Sequence, residues 1–407
     1  MSNFQIPYGR QQIEQDDIDA VVNVLQSNYL TQGPRIADFE QNFADYVGAK
    51  YAVAVANGTA ALHLCAMALN VAPGQRVITS PITFAASANC IRYCGAEVVF
   101  ADINRETYLL DIDQVRSMLE SQPAGTYSGI IPVDFAGRAV DMEAYRQLAD
   151  EHNLWIIEDA CHAPGGSFTN AQGEQMHCGN GQYADLAIFS FHPVKHIAAG
   201  EGGMVTTNDE AMYQKLLASR THGITRNTNI YQNDMSWAAA ANNAEAYPGW
   251  YMEMQELGYN YRLSDIQAAL GNAQLAKAEA GLGKRRAIIE KYQQAFSEVK
   301  GIVDHNPVEK PSKGAVSGHA YHLYVIEVED RLGLYNYLRS QGIYTQIHYI
   351  PCHLMPYYRQ FGWKEDDLPK AEDYYKHCIS LPVFPALTKE EQDFVIKHVI
   401  DFVAKSD

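Results

Sequence analysis

Between Ala37 and Thr207, short unbroken apolar runs alternate with stretches whose apolar residues recur at helical spacing. Tyr51–Ala56 (YAVAVA), Arg76–Ser80, Glu97–Ala101, Gly129–Val133, Leu154–Glu158 and Asp185–Phe191 each read as a strand, because apolar runs of this length bounded by turn residues fit strands buried on both faces. GTAALHLCAMAL after the first run and Ala85–Cys94 after the second read as helices, and GEGGMVTT as a tight turn into another strand. Strands alternating with helices predict an α/β fold with a mostly parallel central sheet.

The pattern then changes. Arg226–Met254 is rich in Asn, Ala, Tyr and Trp, has a Pro248-Gly249 break and lacks steady periodicity, so a surface loop or short-helix insertion is expected there. A long helix is expected over roughly Ser264–Glu290, capped by Ser264 with Asp265 favouring its first turn. Beyond it, Ala320–Val328 and Tyr344–Tyr349, with flanking helical patterns, predict a smaller α+β domain. The expected division is residues 1–265, with the N-terminal segment and the 226–254 insertion, and residues 266–407, including the long helix.

Composition narrows the function classes. The 407 residues carry a formal net charge of -17, which disfavours nucleic acid and anionic membrane as main partners. No run of about 18 apolar residues predicts a membrane span, and MSNFQIPYGRQQIEQDDIDAV has no apolar signal core. A cytoplasmic enzyme is the expectation. The seven Cys are scattered without a CxxC pair. Cys90 and Cys94 share a helix face, and Cys161-His162 and His177-Cys178 are adjacent, but no four-ligand spacing emerges and no metal is expected.

The chemistry converges on one lysine. A loop lysine is ordinarily a solvated charge, but Lys195 follows an apolar strand in FSFHPVK and precedes the Gly-rich AAGEGG. Such neighbours desolvate the ammonium and make the amine nucleophilic toward an aldehyde. Asp159 ends the run LWIIED, where α/β folds place ligand groups; alone it would read as a helix cap. With Lys195 it suits pyridoxal 5'-phosphate (PLP), whose pyridine nitrogen needs a carboxylate to stay protonated. His162 could stack on that ring or bond its phenolic oxygen, or be an interior histidine. Gly58 and Thr59 open a helix after a strand and suit a phosphate, although caps of this composition are common. Ser190 could add a hydroxyl, or be a buried strand serine. Phe84 could cover the ring, or sit in the core.

NGTAAL, ITFAASAN, EDACHAPGG, FSFHPVKHIAAGEGGMVTT and LGYNYRLSDIQAALGNAQL together resemble the DegT-type nucleotide-sugar aminotransferases, from about Pro7 to Leu381. The resemblance implies the aspartate-aminotransferase fold (PLP fold type I) and a homodimer with a shared active site. By motif, Lys195 is the Schiff-base lysine and Asp159 the partner of the pyridine nitrogen. Gly58, Thr59 and Ser190 match the phosphate cradle, and Asn260 the asparagine reaching the other subunit's cofactor. His162 stands where the family often has Gln. A lysine rather than a histidine at position 195 points to transamination, not dehydration. IPYGRQ, SNYLTQGP, AYHLY and GIYTQIHYIPCHLMPYY resemble the branch acting in pseudaminic acid biosynthesis. By that likeness Tyr8, Asn28, Tyr29, Leu30, Thr31, Tyr321, His322, Leu323 and Tyr324 line a nucleotide-sugar pocket.

The implied reaction moves the amino group of L-glutamate, through pyridoxamine phosphate, to C4 of a UDP-4-keto-6-deoxy-N-acetylhexosamine. Lys195 would shuttle the proton. Arg220, in SRTHG, is a further option for a carboxylate or pyrophosphate contact, a surface arginine being the plainer reading. The rival expectations are a sugar 3-aminotransferase, a PLP lyase or dehydratase, and a PLP-binding regulator.

Overall fold

The computed structural model describes residues 4–304 and 318–405. Its centre is a seven-stranded sheet: β1 Tyr51–Val55, β2 Arg76–Thr79, β3 Glu97–Phe100, β4 Gly129–Ile131, β5 Trp155–Asp159, β6 Leu186–Ser190 and β7 Gly203–Thr207. Their order across the sheet is β1-β7-β6-β5-β4-β2-β3. All neighbours run parallel except β7, which is antiparallel to both β1 and β6. The strands are largely apolar along their middles because helices cover both faces: Val53, Val77, Ile157 and Ile188 are fully buried under Gly58–Ala68 and Ala86–Tyr93 on one side. Ala54, Phe189 and Met204 pack under Pro34–Val47 and Asp265–Leu275 on the other. The expected mostly parallel α/β sheet is present.

This order brings the carboxyl ends of β1, β5 and β6 to one edge, where loops gather ligand groups in open α/β sheets. Gly203, at the start of β7, lies between Val55 and Ser190. A Cβ on Gly203 would come within 2.6 Å of the Asn57 backbone, so only glycine lets β7 run this close to the loop after β1.

Expectation and structure part at the long helix. Asp265–Leu275 and Ala278–Phe296 are separate helices. Lys277 leaves helical geometry at the junction, and its ammonium is held by Asp16 at 2.8 Å and Asp17 at 2.7 Å. Ser264 caps as expected, with Gln267 completing a capping box. Asp265 does more than favour its own first turn: its carboxylate accepts the Gly33 and Arg35 amides at 2.7 and 3.0 Å, so it caps the helix Pro34–Val47.

In the C-terminal part β8 (Tyr324–Glu327) pairs antiparallel with β9 (Cys378–Leu381). β8 falls short of the run Ala320–Val328 that predicts it, β9 lies outside the predicted runs, and of Tyr344–Tyr349 only Tyr344 is in a strand. Ile288, Tyr292, Tyr324, Ile379, Val395 and Val399 form the core there, and Ile6 belongs to it too. Ile6–Pro7 pairs with Ile343–Tyr344, so the first described residues pack with the C-terminal part rather than with the central sheet.

The 226–254 insertion is closed at its base by the pair Ile224–Thr225 and Glu253–Met254. It holds a 3-10 turn at Thr228–Ile230, a short α-helix, Met235–Ala239, and a ring cluster of Tyr231, Tyr247 and Tyr251. Trp237 and Trp250 face solvent.

Candidate active site

Asp159 closes β5 with its carboxylate buried. Its Oδ1 accepts the Cys161 amide at 3.2 Å and its Oδ2 accepts the Ser87 hydroxyl at 2.6 Å. Ser87 has one proton and gives it to Asp159, so Thr83 Oγ1, at 2.8 Å, donates to Ser87 in turn. Sequence reasoning missed Ser87; the only signal was the Thr83/Ser87 pair four residues apart in a small-residue helix start. A carboxylate has about four acceptor positions, and two donors leave capacity on Asp159 for a ligand.

Lys195 sits in the loop after β6. Phe191 and Gly202 close that loop with an amide bond of 2.9 Å, and the Lys195 amide bonds the His192 carbonyl at 2.8 Å. His196 anchors the far side through Nε2 and the Ala320 carbonyl, 2.8 Å. The Lys195 side chain is half-buried. Burial lowers its ammonium pKa, against the opposing pull of Cys161 and Asp159. A larger share of free amine results, which a lysine nucleophile needs.

The helix Gly58–Ala68 begins directly after β1, with Asn57 Oδ1 accepting the Ala60 amide at 2.8 Å. A Cβ on Gly58 would lie 3.1 Å from Ser190 Cβ and 3.5 Å from Cys161 Sγ. Gly58, Ser190 and Cys161 therefore form a cradle whose floor a side chain would fill. The remaining first-turn amides have no intrahelical acceptor and favour an anion. Thr59 is half-exposed beside them.

His162 is buried one turn past Asp159. Its Nδ1 lies 3.2 Å from the Ala136 amide, and its Nε2 3.1 Å from the Tyr349 hydroxyl. Burial, aided by the charge of Lys195, pushes its pKa well below the ordinary range, so the ring is neutral. Ala136 holds φ at 60° to present that N–H. With both nitrogens occupied, the imidazole edge is spent, and of the two roles expected for His162 stacking is the one left open.

Phe84 is 64% exposed, its ring 6.3 Å from that of Tyr349. Tyr8 is half-buried, its ring 5.2 Å from His348. Asn28, Tyr29, Leu30 and Thr31 lie exposed, with Thr31 bridged to Ser264. Asn260 is exposed on an edge segment bridged to Thr221, next to Tyr261, whose carbonyl accepts the Ala56 amide at 2.8 Å.

The segment Tyr321–Tyr324 departs from a pocket lining. Tyr324 is fully buried, stacked on Tyr292, with its hydroxyl on Asp304. Leu323 is core, and Tyr321 stacks on His319 at 4.0 Å. Strand-like residues with apolar neighbours pack inward here, and only His322, whose ring is 4.3 Å from His162, borders the site. Arg220 is neither a ligand group nor a plain surface residue: Nη1 is bound to Glu40 and to the Ala54 carbonyl, which joins α-helical and β1 segments.

With this geometry in place, known proteins supply the frame. Residues 11–400 match the DegT/DnrJ/EryC1/StrS aminotransferase family. The chain belongs to it. The family is PLP-dependent. A spore coat polysaccharide biosynthesis protein of Bacillus subtilis, SpsC, is 37% identical over 413 residues, covering 100% of this chain and 99% of the relative. Helicobacter pylori PseC, an aminotransferase involved in the biosynthesis of pseudoaminic acid, superposes with a TM-score of 0.84 at 29% identity, covering 99% and 100% of the two chains. The putative sugar aminotransferase Spr1654 of Streptococcus pneumoniae also gives 0.84 in its PLP form, at 26% identity over 99% of each chain. The cradle at Gly58, the carboxylate with spare capacity and the half-buried lysine fit the phosphate, pyridine nitrogen and aldehyde carbon of PLP.

Proposed function

We propose that this sugar aminotransferase moves the amino group of L-glutamate to C4 of a UDP-4-keto-6-deoxy-N-acetylhexosamine, giving UDP-4-amino-4,6-dideoxy-N-acetyl-β-L-altrosamine. The observation that carries the chemistry is the placement of Asp159, Lys195 and the Gly58/Ser190 cradle at one sheet edge. The likeness to PseC supports the sugar.

PLP, when bound, supplies an electron sink that makes a Cα–H bond acidic. The chain's residues do the rest. Asp159, fixed by Ser87 and the Cys161 amide, holds a proton at the pyridine nitrogen. Gly58, Thr59 and Ser190 hold the phosphate. His162 would stack on the ring and Phe84 would cover it. Lys195 Nζ would take the proton from the donor's α-carbon and return it to the carbon on the far side of the donor nitrogen, as base and then acid. Tyr8, Asn28–Thr31 and His322 border the space for the sugar nucleotide, and Asn260 reaches the phosphate of a second subunit's site in a homodimer. We place its action in the cytoplasm, the expected location of a nucleotide-sugar aminotransferase.

The likeness to SpsC favours a second reading, in which the same chemistry serves a different 4-keto or 3-keto sugar. Incubation with 15N-labelled L-glutamate and a panel of UDP-keto sugars decides between them, with the product solved by NMR. Label at C4 of the altro-configured product is the expected outcome. Label at C3, or turnover only of another sugar, would replace the substrate while leaving the chemistry in place.

A further inference from the structure

The His162–Tyr349 contact has a direction that geometry sets. The Ala136 N–H points at His162 Nδ1 at 3.2 Å, so Nδ1 is the unprotonated nitrogen of a neutral ring. The ring proton is then on Nε2, and Nε2–H donates to Tyr349 Oη at 3.1 Å. Tyr349 therefore keeps its own O–H. Among the described residues nothing accepts it, although the ring is half-buried and tucked between Phe84, Phe135 and His348. The surrounding protein, with Tyr8 and Asp159 nearby, raises the phenol pKa and keeps that proton in place.

A donor held in place by His162 and left without a protein acceptor is free to serve a ligand, and Tyr8, Asp159 and Cys161 lie close enough to act on it electrostatically. We propose that Tyr349 is a catalytic residue: its hydroxyl donates to an oxygen of the bound reactants, either the phenolic oxygen of PLP or the keto oxygen of the sugar. The proposal rests on the aminotransferase reading above. It also gives His162 a second task, since the imidazole orients the phenol by occupying its acceptor side and leaving only the proton to face the ligand.

Tyr349→Phe keeps the ring packing and removes the donor. In the PLP-loaded full-length protein, the pH midpoint of the visible absorption band is read first, then single turnovers with L-glutamate and with the keto sugar. If the phenolic oxygen is the acceptor, losing the donor leaves more negative charge to hold the neighbouring proton. The midpoint should then rise by about one pH unit, the value of one charge-assisted hydrogen bond, and the glutamate step should slow. If the keto oxygen is the acceptor, the midpoint and the glutamate step stay put while the sugar step slows about tenfold or more. A midpoint within about 0.2 unit and both steps within about twofold of wild type would overturn the proposal. Absence of any visible band in the wild-type protein supplied with PLP would overturn the aminotransferase reading and this proposal with it.

Discussion

Two buried carboxylates, Asp159 at the sheet edge and Glu253 at the base of the insertion, accept similar sets of donors. Asp159 takes one backbone amide and one hydroxyl. Glu253 takes the Gln232 and Asn233 amides at 2.7 and 2.9 Å, the Tyr251 hydroxyl at 2.8 Å and the Gln255 amide group at 3.3 Å. The difference lies in what each has left. Both oxygens of Glu253 carry two donors, all from residues within about two dozen positions of it, and its surroundings are a self-contained lobe. Asp159 carries one donor per oxygen, the hydroxyl from a residue 72 positions away, and it acts electrostatically on Lys195. Burial and hydrogen bonding look alike in the two places; unspent capacity separates a ligand group from a structural one. The proton of Tyr349 falls with Asp159.

The sharpest way to break this contrast is at the lysine. Lys195→Ala should lower amino transfer by more than about 10³-fold, since nucleophile and proton carrier go together. Transfer from labelled glutamate at the wild-type rate would remove Lys195 from the chemistry. Asp159→Ala should cost on the order of 10²–10³-fold in kcat, the scale of losing one electrostatic stabiliser. Ser87→Ala, which withdraws one of its two donors, should cost less, about tenfold. Equal losses for the two would mean that Ser87 does more than steady the carboxylate. The matching change at Glu253 should leave kcat within about twofold, as expected of a position away from the chemistry.

Those strand ends were legible because apolar runs announce buried strands, and in an α/β sheet the ends of such runs converge. Asp159, Ser190, Gly58 and Lys195 could each be placed this way. Ser87 and Tyr349 could not, since their roles depend on partners 72 and 187 positions away and on the tautomer of His162. At Tyr321–Tyr324 it was the family likeness, not the strand pattern, that implied a pocket lining. Their rings stack on Tyr292 and His319 instead, and stacking inside a core leaves no trace in spacing. The break at Lys277 was hidden as well, because helical periodicity continues across it and only the distant Asp16 and Asp17 draw the lysine out.

A third carboxylate case lies behind Asp159. Asp134 and Glu158 are buried with Cys178, their ligand atoms mutually within 4.8 Å. Burial raises the Asp134 carboxyl to about 7, against the lowering effect of the Val140 amide, and raises Glu158 well above its ordinary value, with Asp134 adding to the shift. Both folded pKa values lie above the unfolded ones. The folded state thus binds more protons than the unfolded state in this range, and stability falls as pH rises. The contribution is complete below about pH 4 and is lost as pH climbs through about 7. Glu158→Gln keeps a donor for Asp134 without a titrating proton. Between pH 5 and 8 the wild-type Tm should fall by at least about 3 °C more than that of the variant. Parallel Tm curves would show that the pair does not share a proton.

The smallest effect belongs to Glu253, and it tests the lobe side of the contrast directly. Its partners are Gln232, Asn233, Tyr251 and Gln255, and the carboxylate joins the start of the insertion to its end. Glu253→Ala leaves two backbone amides without their acceptor, but these can turn to water, since Gln232 and Asn233 are exposed. Stability is not uniform across a structure, and a segment held by local bonds opens alone. Amide exchange in 226–254 should therefore accelerate by about tenfold or more, while exchange in β5 and β6 and the Tm hold within about 2 °C. If β5 and β6 exchanged faster in step with the lobe, the insertion would be coupled to the sheet edge. Glu253 would then belong with Asp159 as part of the site's support, and capacity alone would no longer separate the two carboxylates.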